Sequence, residues 1–149
     1  MTTAKTRVPA LGADGWFEEN ADGAALVGTR CTTCGTVFFP PATYFCRNPE
    51  CDGTEFETAR LSRTGTVWSY TDARYQPPPP YVQRTDPYEA FALAAVELGP
   101  EGMVVLGQVA DGYSVDDLRV GANVELVVET LFEDDEHEYT IRRWRPVPA

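Results

Sequence analysis

The sequence has few of the side chains that usually carry catalysis or bind nucleic acid. Its 149 residues include one histidine, His137, and one lysine, Lys5. The 12 basic residues are outnumbered by 23 acidic ones, which gives a formal net charge of −11 at pH 7. Because a field of that sign repels phosphate backbones, we do not expect nucleic acid as a partner, and a basic protein surface suits the charge better.

A long apolar run and a secretory leader are also missing. No stretch approaches the roughly 20 apolar residues that cross a bilayer, and the first residues lack a charged segment followed by an apolar one. We therefore expect a cytoplasmic protein with no membrane partner. The length and the apolar content of 43% fit one medium domain, or two small ones that share a core.

Cysteine is scarce, and its four copies are confined to 21 consecutive residues. Cys31 and Cys34 are separated by two residues, and Cys46 and Cys51 by four. Two close pairs of soft thiolates suit a tetrahedral four-sulfur metal site, and Gly35 lets the backbone turn after the first pair. The pattern predicts a zinc ribbon whose ligands are these four cysteines.

Two other uses of the cysteines stay open at this point. A rubredoxin-like iron site takes the same ligand set. Disulfides are the third alternative, although they would not persist in the reducing compartment that a missing leader indicates. We favour zinc. Because a closed four-thiolate site leaves no position for a substrate, we expect the metal to stabilise structure and to do no chemistry.

The residues before the ribbon, 1–30, are predicted to form an arm and a short helix. Asp14 has the side chain of a helix cap, and acidic residues follow it where the helix dipole favours them. Trp16 and Phe17 would lie at the start of this helix. They would either cover the ribbon or barrel or help to seat a partner chain.

We expect the ribbon to occupy residues 31–61 and a β-barrel to occupy residues 62–149, so the fold is mainly β. Alternation of apolar and polar residues in the second part is typical of strands. A capped helical turn, in which Leu118 and Val120 point inward, should separate the third strand from the fourth. Five strands with this turn describe an OB-fold, a small Greek-key barrel. The predicted strands are 65–73, 89–98, 103–109, 123–132 and 138–144.

A long connection, residues 76–88, interrupts the strands. It contains four consecutive prolines, which cannot join a sheet and favour a stiff extended segment. Long loops of this kind inside a compact domain are usually functional or mobile. We expect it to act either as a lid over a ligand or as a rim that grips a partner.

The order of these features resembles the DUF35 family of zinc-ribbon and OB-fold proteins, over most of the chain. No single motif is specific, but their order is. The cysteine pair with four intervening residues departs from the more usual two. The likeness is carried by Cys31-x-x-Cys34-Gly35, Phe39-Pro40-Pro41, Gly65-Thr66-Val67, Leu118-x-x-Gly121 and Arg145-Pro146.

The resemblance implies a function that the spacing of residues does not itself establish. Members of the family resemble non-catalytic companions of thiolase-superfamily enzymes: thiolases, condensing enzymes and thiolase-like retro-aldolases, including aldolases of steroid side-chain breakdown. Some occur fused to hydratase domains. They help to hold an acyl-CoA thioester at the shared interface. A heterotetramer, with two copies of this chain on a partner dimer, is the expected assembly.

The catalytic groups of the sequence agree with a helper role. A self-sufficient thiolase needs a nucleophilic cysteine and histidine bases. Every cysteine here is a predicted metal ligand, and His137 lies in an acidic loop that would keep it charged. No Gly-rich phosphate loop is present. A stand-alone enzyme is therefore a minor alternative.

CoA binding would need cations for the phosphates and an apolar slot for the pantetheine arm. One basic cluster surrounds Trp144, although we favour surface salt bridges over ligand binding as its use. A second set flanks the proline-rich connection. The candidate contacts for CoA or a partner, besides Trp16 and Phe17, are Arg142, Arg143 and Arg145 in the first set and Arg74, Tyr75, Tyr81 and Arg84 in the second.

Single-stranded nucleic-acid binding is the alternative function, because zinc ribbons and OB-folds both occur in proteins that bind nucleic acids. Trp68 and Tyr70 would then form a stacking platform on the barrel. The simpler interpretation places both aromatic side chains in the barrel core. The net charge opposes the nucleic-acid hypothesis, since no basic groove is available to follow a phosphate backbone.

Overall fold

The structure is a computed structural model that describes residues 5–10, 16–21, 23–79, 81 and 87–148. Two predicted features, the helix cap Asp14 and the candidate contact Arg84, lie outside the described residues. Within the described ranges the chain forms ten strands: β1 (Thr6–Pro9), β2 (Phe17–Asn20), β3 (Gly23–Cys31), β4 (Val37–Phe38), β5 (Phe56–Arg60), β6 (Thr64–Ala73), β7 (Phe91–Leu98), β8 (Met103–Val109), β9 (Asn123–Glu133) and β10 (His137–Pro146).

The last five strands close into a barrel. β6 pairs with β7 and β9, β7 pairs with β8, and β10 joins β8 to β9. The closing pair is parallel, with Trp144 of β10 beside Val109 of β8. All other barrel pairs are antiparallel. This order is that of an OB-fold, which confirms the predicted fold class. β1 runs parallel to the first half of β10.

A short 3-10 turn, Val115–Asp117, lies between β8 and β9, where the sequence predicts a helical turn. The Ser114 side chain accepts a hydrogen bond from the backbone N–H of Asp116. The backbone N–H of Ser114 in turn donates to the Asp117 carboxylate. In the described part of the chain no helix has the length and apolarity that a membrane span requires.

The ribbon is built around β3, whose two edges are both used. β2 and β4 pair with opposite halves of one edge, and β5 pairs with the other. Cys31 is the last residue of β3 and pairs with Phe56 of β5. The strand therefore delivers the first cysteine to the end of the ribbon sheet.

The ribbon and the barrel share one apolar core. Every second residue of β7 is buried, and so are Ala24, Leu26 and Gly28 of β3, as expected for strands with one face inward. Trp144, which is fully buried, belongs to the same cluster as Leu26 and Leu61 from the ribbon side. Packing between the two parts thus fixes the position of the ribbon on the barrel.

The prediction of a short N-terminal helix is wrong for residues 17–20, which form β2. Phe17 lies opposite Leu26 of β3 and is buried in the shared core. The acidic residues that resembled a capped first turn instead lie on a strand. The open edge of β3 supplies hydrogen bonds to this segment, and that tertiary pairing outweighs a local capping signal.

Three aromatic and aliphatic side chains do not lie where the sequence places them. Trp68 is 60% exposed and Tyr70 39%, so the assignment of these residues to the barrel core is wrong. The neighbouring Val67 takes the inward position, and the register of β6 against β7 shifts directly after it. Leu118 is buried as predicted, but Val120 is 66% exposed because it follows the 3-10 turn into a loop.

Candidate metal centre and contact surfaces

The four cysteine sulfur atoms come together at one end of the ribbon, all within 4.8 Å of one another. The Sγ atoms of Cys31 and Cys51 are 3.8 Å apart, and those of Cys34 and Cys46 are 3.6 Å apart. A disulfide requires about 2.05 Å. A regular tetrahedron of Zn–S bonds near 2.3 Å requires sulfur separations of about 3.8 Å. The cluster therefore has the dimensions of a four-thiolate metal site and not of two disulfides.

Two tight turns hold the sulfurs in place. In the first, the N–H of Gly35 donates to the Cys31 carbonyl at 2.8 Å, and the N–H of Cys31 donates to the Thr36 carbonyl at 2.9 Å. Gly35 has φ = 80°, in the left-handed region that favours glycine. This is the backbone turn that the sequence predicts after the first cysteine pair.

The second turn is closed by Cys46, whose N–H donates to the Gly53 carbonyl at 2.9 Å. The N–H of Gly53 in turn lies 3.3 Å from the sulfur of Cys51. A Cβ at Gly53 would lie 2.7 Å from the Cys31 sulfur, so the close approach of the two turns requires glycine there. Four residues between Cys46 and Cys51 are therefore compatible with a compact turn.

The electrostatics of the site favour a bound cation. The Thr36 hydroxyl, 3.1 Å from the Cys34 sulfur, lowers the pKa of Cys34 to about 6. The backbone N–H of Cys34 lowers the pKa of Cys31. Burial, in contrast, raises the pKa of Cys46 to about 12. A divalent cation is the partner that would let a buried thiol ionise beside thiolates.

The two predicted N-terminal contact residues have different environments. Phe17 is 7% exposed and belongs to the shared core. Trp16 is 37% exposed, and its ring packs edge-on against Phe39 with centroids 6.1 Å apart. Only Trp16 of this pair is therefore available to another molecule.

The three arginines around Trp144 do not form one basic surface. Arg143 is buried, with Nη1 3.1 Å from the Glu129 carboxylate. Arg145 is exposed and donates from Nε to Glu125 at 2.9 Å. These two arginines occupy ion pairs, one buried and one at the surface.

Arg142 differs from both of its neighbours. Its guanidinium carbon lies 5.2 Å from the centre of the Phe39 ring, and Nη1 donates to the Leu106 carbonyl at 3.1 Å. Burial lowers the pKa of Arg142. Among the described residues no carboxylate lies within ion-pair distance of it. The predicted cluster thus contains one cation that lacks an acidic partner.

The described residues beside the proline-rich connection are also divided. Arg74 pairs with Asp72 at 3.1 Å, and Tyr75 is 91% exposed. Tyr81 stacks on Phe91 with ring centroids 5.3 Å apart and lines a cavity of about 320 Å³. Of the other candidate contacts that the structure describes, only the buried Arg143 also lines that cavity.

His137 lies at the start of β10 with its Nδ1 3.6 Å from the Asp134 carboxylate. The turn that precedes it is organised by Asp134, which accepts N–H groups from Glu136 at 2.8 Å and from His137 at 2.7 Å. The Tyr139 hydroxyl donates to the same carboxylate at 2.9 Å. The N–H donors, with a smaller contribution from Tyr139, lower the pKa of Asp134 to about 2.

One exposed apolar surface is not evident from the amino-acid sequence. Val104 is 45% exposed and Leu106 59%, on the outward face of β8. The run Met103-Val-Val-Leu has the composition of a buried strand, so no signal in the sequence separates its outward from its inward residues. Their neighbours from the ribbon side, Trp16, Phe39 and Pro40, are distant in sequence and come close only in the folded chain.

The fold and the sulfur cluster together define a protein with a rubredoxin-like ribbon and an OB-fold. Family models agree with this class. One described as "ChsH2, rubredoxin-like zinc ribbon domain" matches residues 25–57, and one described as "ChsH2, C-terminal OB-fold domain" matches residues 58–129. Both parts of the architecture are thus recognised by sequence alone.

Individual relatives extend the comparison. A "DUF35 domain-containing scaffold protein" of Methanocaldococcus jannaschii is 36% identical over 110 residues, which is 73% of this chain and 71% of the relative. The benzoylsuccinyl-CoA thiolase subunit BbsA of Thauera aromatica is 31% identical over 117 residues, covering 77% and 72%. A solved structure described as "Ltp2-ChsH2(DUF35) aldolase" shares 30% identity with a TM-score of 0.58, covering 82% and 84%. The chain belongs to the DUF35 family, which confirms the resemblance.

Proposed function

We propose that this protein is a non-catalytic accessory subunit of a thiolase-superfamily enzyme, either a thiolase or a thiolase-like retro-aldolase. The observation that carries the proposal is the gathering of all four cysteines into one cluster, which leaves none to act as a nucleophile. The names of the relatives support it, since one is a thiolase subunit and another belongs to an aldolase with Ltp2. Aldolases of steroid side-chain breakdown are one partner class within this proposal.

The metal in this proposal is structural zinc, bound by Cys31, Cys34, Cys46 and Cys51. The sulfur separations of 3.6 and 3.8 Å fit a tetrahedral ion. Bound zinc would supply cross-linking of the two turns and no reactive position. Gly35 and Gly53 would keep the turns tight. Elemental analysis of protein purified without added metal is expected to give one zinc per chain, and iron in its place would identify a rubredoxin-like site.

The second part of the proposal is that acyl-CoA binds where this chain meets its partner. The cavity beside Tyr81 offers an aromatic wall formed with Phe91. The exposed Arg74 and Tyr75 precede the same connection and would contact phosphate or adenine. Arg84 and Arg145 remain candidates on sequence grounds. Arg143 is a weaker one because its guanidinium already pairs with Glu129.

The assembly is tested by co-expression with a thiolase-like protein from the same organism, followed by native mass spectrometry. We expect a heterotetramer with two copies of each subunit, and an acyl-CoA affinity that exceeds that of either subunit alone. Arg74→Ala should weaken acyl-CoA binding without dissociating the complex. Failure of the two chains to associate would remove the proposed function, and unchanged affinity in Arg74→Ala would remove that residue from the site.

One observation favours the alternative of single-stranded nucleic-acid binding. Trp68 and Tyr70 are both exposed on β6, where bases could stack on them. The formal charge of −11 opposes that use. Fluorescence titration of Trp68 with single-stranded oligonucleotides at low salt tests it, and saturable quenching that weakens with added salt would favour this alternative over the accessory subunit.

A further inference from the structure

An exposed apolar surface lies across the boundary between the ribbon and the barrel. It surrounds a recess of about 200 Å³. We call this surface the junction patch. One side comes from the ribbon and the segment before it, and the other from the outward face of β8 and from β10. The junction patch consists of Trp16, Phe39, Pro40, Val104, Leu106 and Arg142.

The apolar members of the junction patch remain substantially in contact with solvent. Leu106 is 59% exposed, Val104 45% and Trp16 37%. Val104 and Leu106 are two residues apart on one strand, so their side chains lie on the same face. Ala95 of β7 pairs with Leu106 and extends that face. Contiguous exposed apolar surface of this kind, next to a polar surround, marks a protein contact more often than an isolated leucine does.

Arg142 gives the junction patch a specific charge requirement. Its side chain lies over the Phe39 ring and has no carboxylate partner among the described residues. Its Nη1 group donates to a backbone carbonyl, but the positive charge itself is not balanced. Arg47 and Arg119 also have no ion pair among the described residues, but both are exposed, whereas Arg142 is partly buried beside the recess. Six other described arginines form ion pairs with acidic residues: Arg7, Arg30, Arg60, Arg74, Arg143 and Arg145.

We propose that the junction patch is the energetic centre of the docking surface for the thiolase-like partner, which inserts an apolar side chain into the recess and places a carboxylate against Arg142. This inference rests on the proposed function. Such a contact would combine two kinds of residue that dominate binding energy at interface hot spots. One is an aromatic or aliphatic anchor in a pocket, and the other is a desolvated arginine. The acidic chain as a whole favours a basic surface on the partner, whereas Arg142 requires a carboxylate at one point. This difference would fix the orientation in which the partner docks.

The size of the recess favours a protein side chain over a free ligand. Pockets for small molecules usually measure about 300 to 1,000 Å³. At about 200 Å³ the recess matches one side chain. Stable complexes bury roughly 1,200 to 2,000 Å² in total, so the patch would form the centre of a larger interface. Because it includes both ribbon and β8 residues, the partner would contact both parts of this protein at once.

The test uses full-length chain variants, each purified with zinc, and the thiolase-like subunit that associates with the wild type. Leu106→Glu places a charge in the patch at an exposed site that the fold tolerates. Val120→Glu, at an aliphatic residue of similar exposure outside the patch, is its matched control. Arg142→Met removes the charge but keeps the apolar stem, and Arg119→Met is the control at an exposed arginine outside the patch. Arg142→Lys keeps the charge without the planar fork.

We expect Leu106→Glu and Arg142→Met each to raise the Kd for the partner about tenfold or more. Both controls should stay within about twofold, and Arg142→Lys should recover part of the loss. Wild-type affinity in Leu106→Glu would overturn the inference while leaving the accessory role intact. Absence of any complex with the wild type would overturn both. A wild-type homodimer that Leu106→Glu converts to monomers would assign the patch to a second copy of this chain and also overturn the inference.

Discussion

At the scale of single residues, the arginines of β10 show how one short segment supplies three different environments. Arg143 is 1% exposed and lines the cavity beside Tyr81, whereas Arg145 is exposed and pairs with Glu125. Arg142 precedes both along β10 and lies at the ribbon boundary, over Phe39. Strand alternation does not separate Arg143 from Arg145, which lie on the same face of β10, so their difference in burial comes from the partners that surround each one. The guanidinium of Arg143 is buried where water cannot solvate it, and Glu129 supplies its ionic partner.

Replacement of Arg143 by alanine is expected to destabilise the fold. It would leave the Glu129 carboxylate without its buried partner, and breaking a buried pair in this way costs about 3 kcal/mol in the free energy of unfolding. Arg145→Ala, which removes a surface pair, should cost within about 1 kcal/mol. Urea unfolding at fixed zinc concentration measures both. Equal effects of the two substitutions would contradict a stabilising role for the buried pair of Arg143 and Glu129.

A second residue-scale prediction concerns Asp134 and pH. Its pKa is lowered to about 2 by the N–H groups of Glu136 and His137 and by the Tyr139 hydroxyl. The lowered pKa means that the ionised carboxylate stabilises the fold at pH values above its ordinary pKa near 3.9, and that this stabilisation is lost as pH falls toward about 2. Asp134→Asn should therefore lower the thermal midpoint by the same amount from pH 8 down to pH 5.

The control for this prediction is Asp135→Asn, at the next carboxylate of the same turn, which should leave the midpoint nearly unchanged. Thermal scans of both variants and the wild type across the pH range provide the measurement. A difference between Asp134→Asn and wild type that already shrinks between pH 7 and pH 5 would contradict a low pKa for Asp134.

The cysteine cluster could be predicted at this scale, and the arginine environments could not. The spacing of Cys31 and Cys34 specifies a turn that depends only on adjacent residues. The burial of Arg143 depends instead on Glu129, fourteen residues away on another strand. The register shift between Val67 and Ser69, which leaves Trp68 without a partner in the register of β6 against β7, is not revealed by alternation alone.

At the scale of elements, the barrel strands were predictable and the first ribbon strand was not. β8 has the predicted bounds, Met103–Val109, because turn residues enclose an apolar run. β2 contains acidic residues that suit a helix start equally well, and only the open edge of β3 decides between the two. Short segments beside a free edge are where local signals fail.

The second cysteine turn gives a prediction at this scale. In Gly53→Ala the new methyl group would lie 2.7 Å from the Cys31 sulfur, so one of the two turns must move. We expect zinc affinity to fall about tenfold, as it does when groups that orient metal ligands are disturbed. Gly99→Ala, which meets no atom within 4 Å, is the matched control and should bind zinc normally.

Competition with a chromophoric zinc chelator measures this difference directly. Normal affinity in Gly53→Ala would mean that the turns are looser than their separation indicates, and would weaken the assignment of the cluster as a closed site.

At the scale of the whole molecule, one core serves both parts of the chain. Leu26 and Leu61 from the ribbon side pack with Trp144 of the barrel, and β3 runs from that core to Cys31 in the cluster. Disturbance at the metal end should therefore reach the ribbon boundary, where the junction patch lies. The shared core could not be predicted from the sequence, because the motifs of the ribbon and those of the barrel are separate along the chain.

Metal removal tests this coupling. Treatment with a strong chelator should unfold the ribbon, lower the thermal midpoint and abolish binding of the partner, and added zinc should restore all three. Circular dichroism and partner binding are measured on the same samples. Full partner binding by metal-free protein would contradict a ribbon that positions the docking surface.

The most direct test of the accessory role is the turnover of an acyl-CoA thioester by the purified chain, by its thiolase-like partner, and by the two mixed. We predict no turnover above background with this chain alone, and a rate for the mixture that exceeds that of the partner alone. Cleavage or condensation of the thioester by this chain in the absence of any partner would contradict the account.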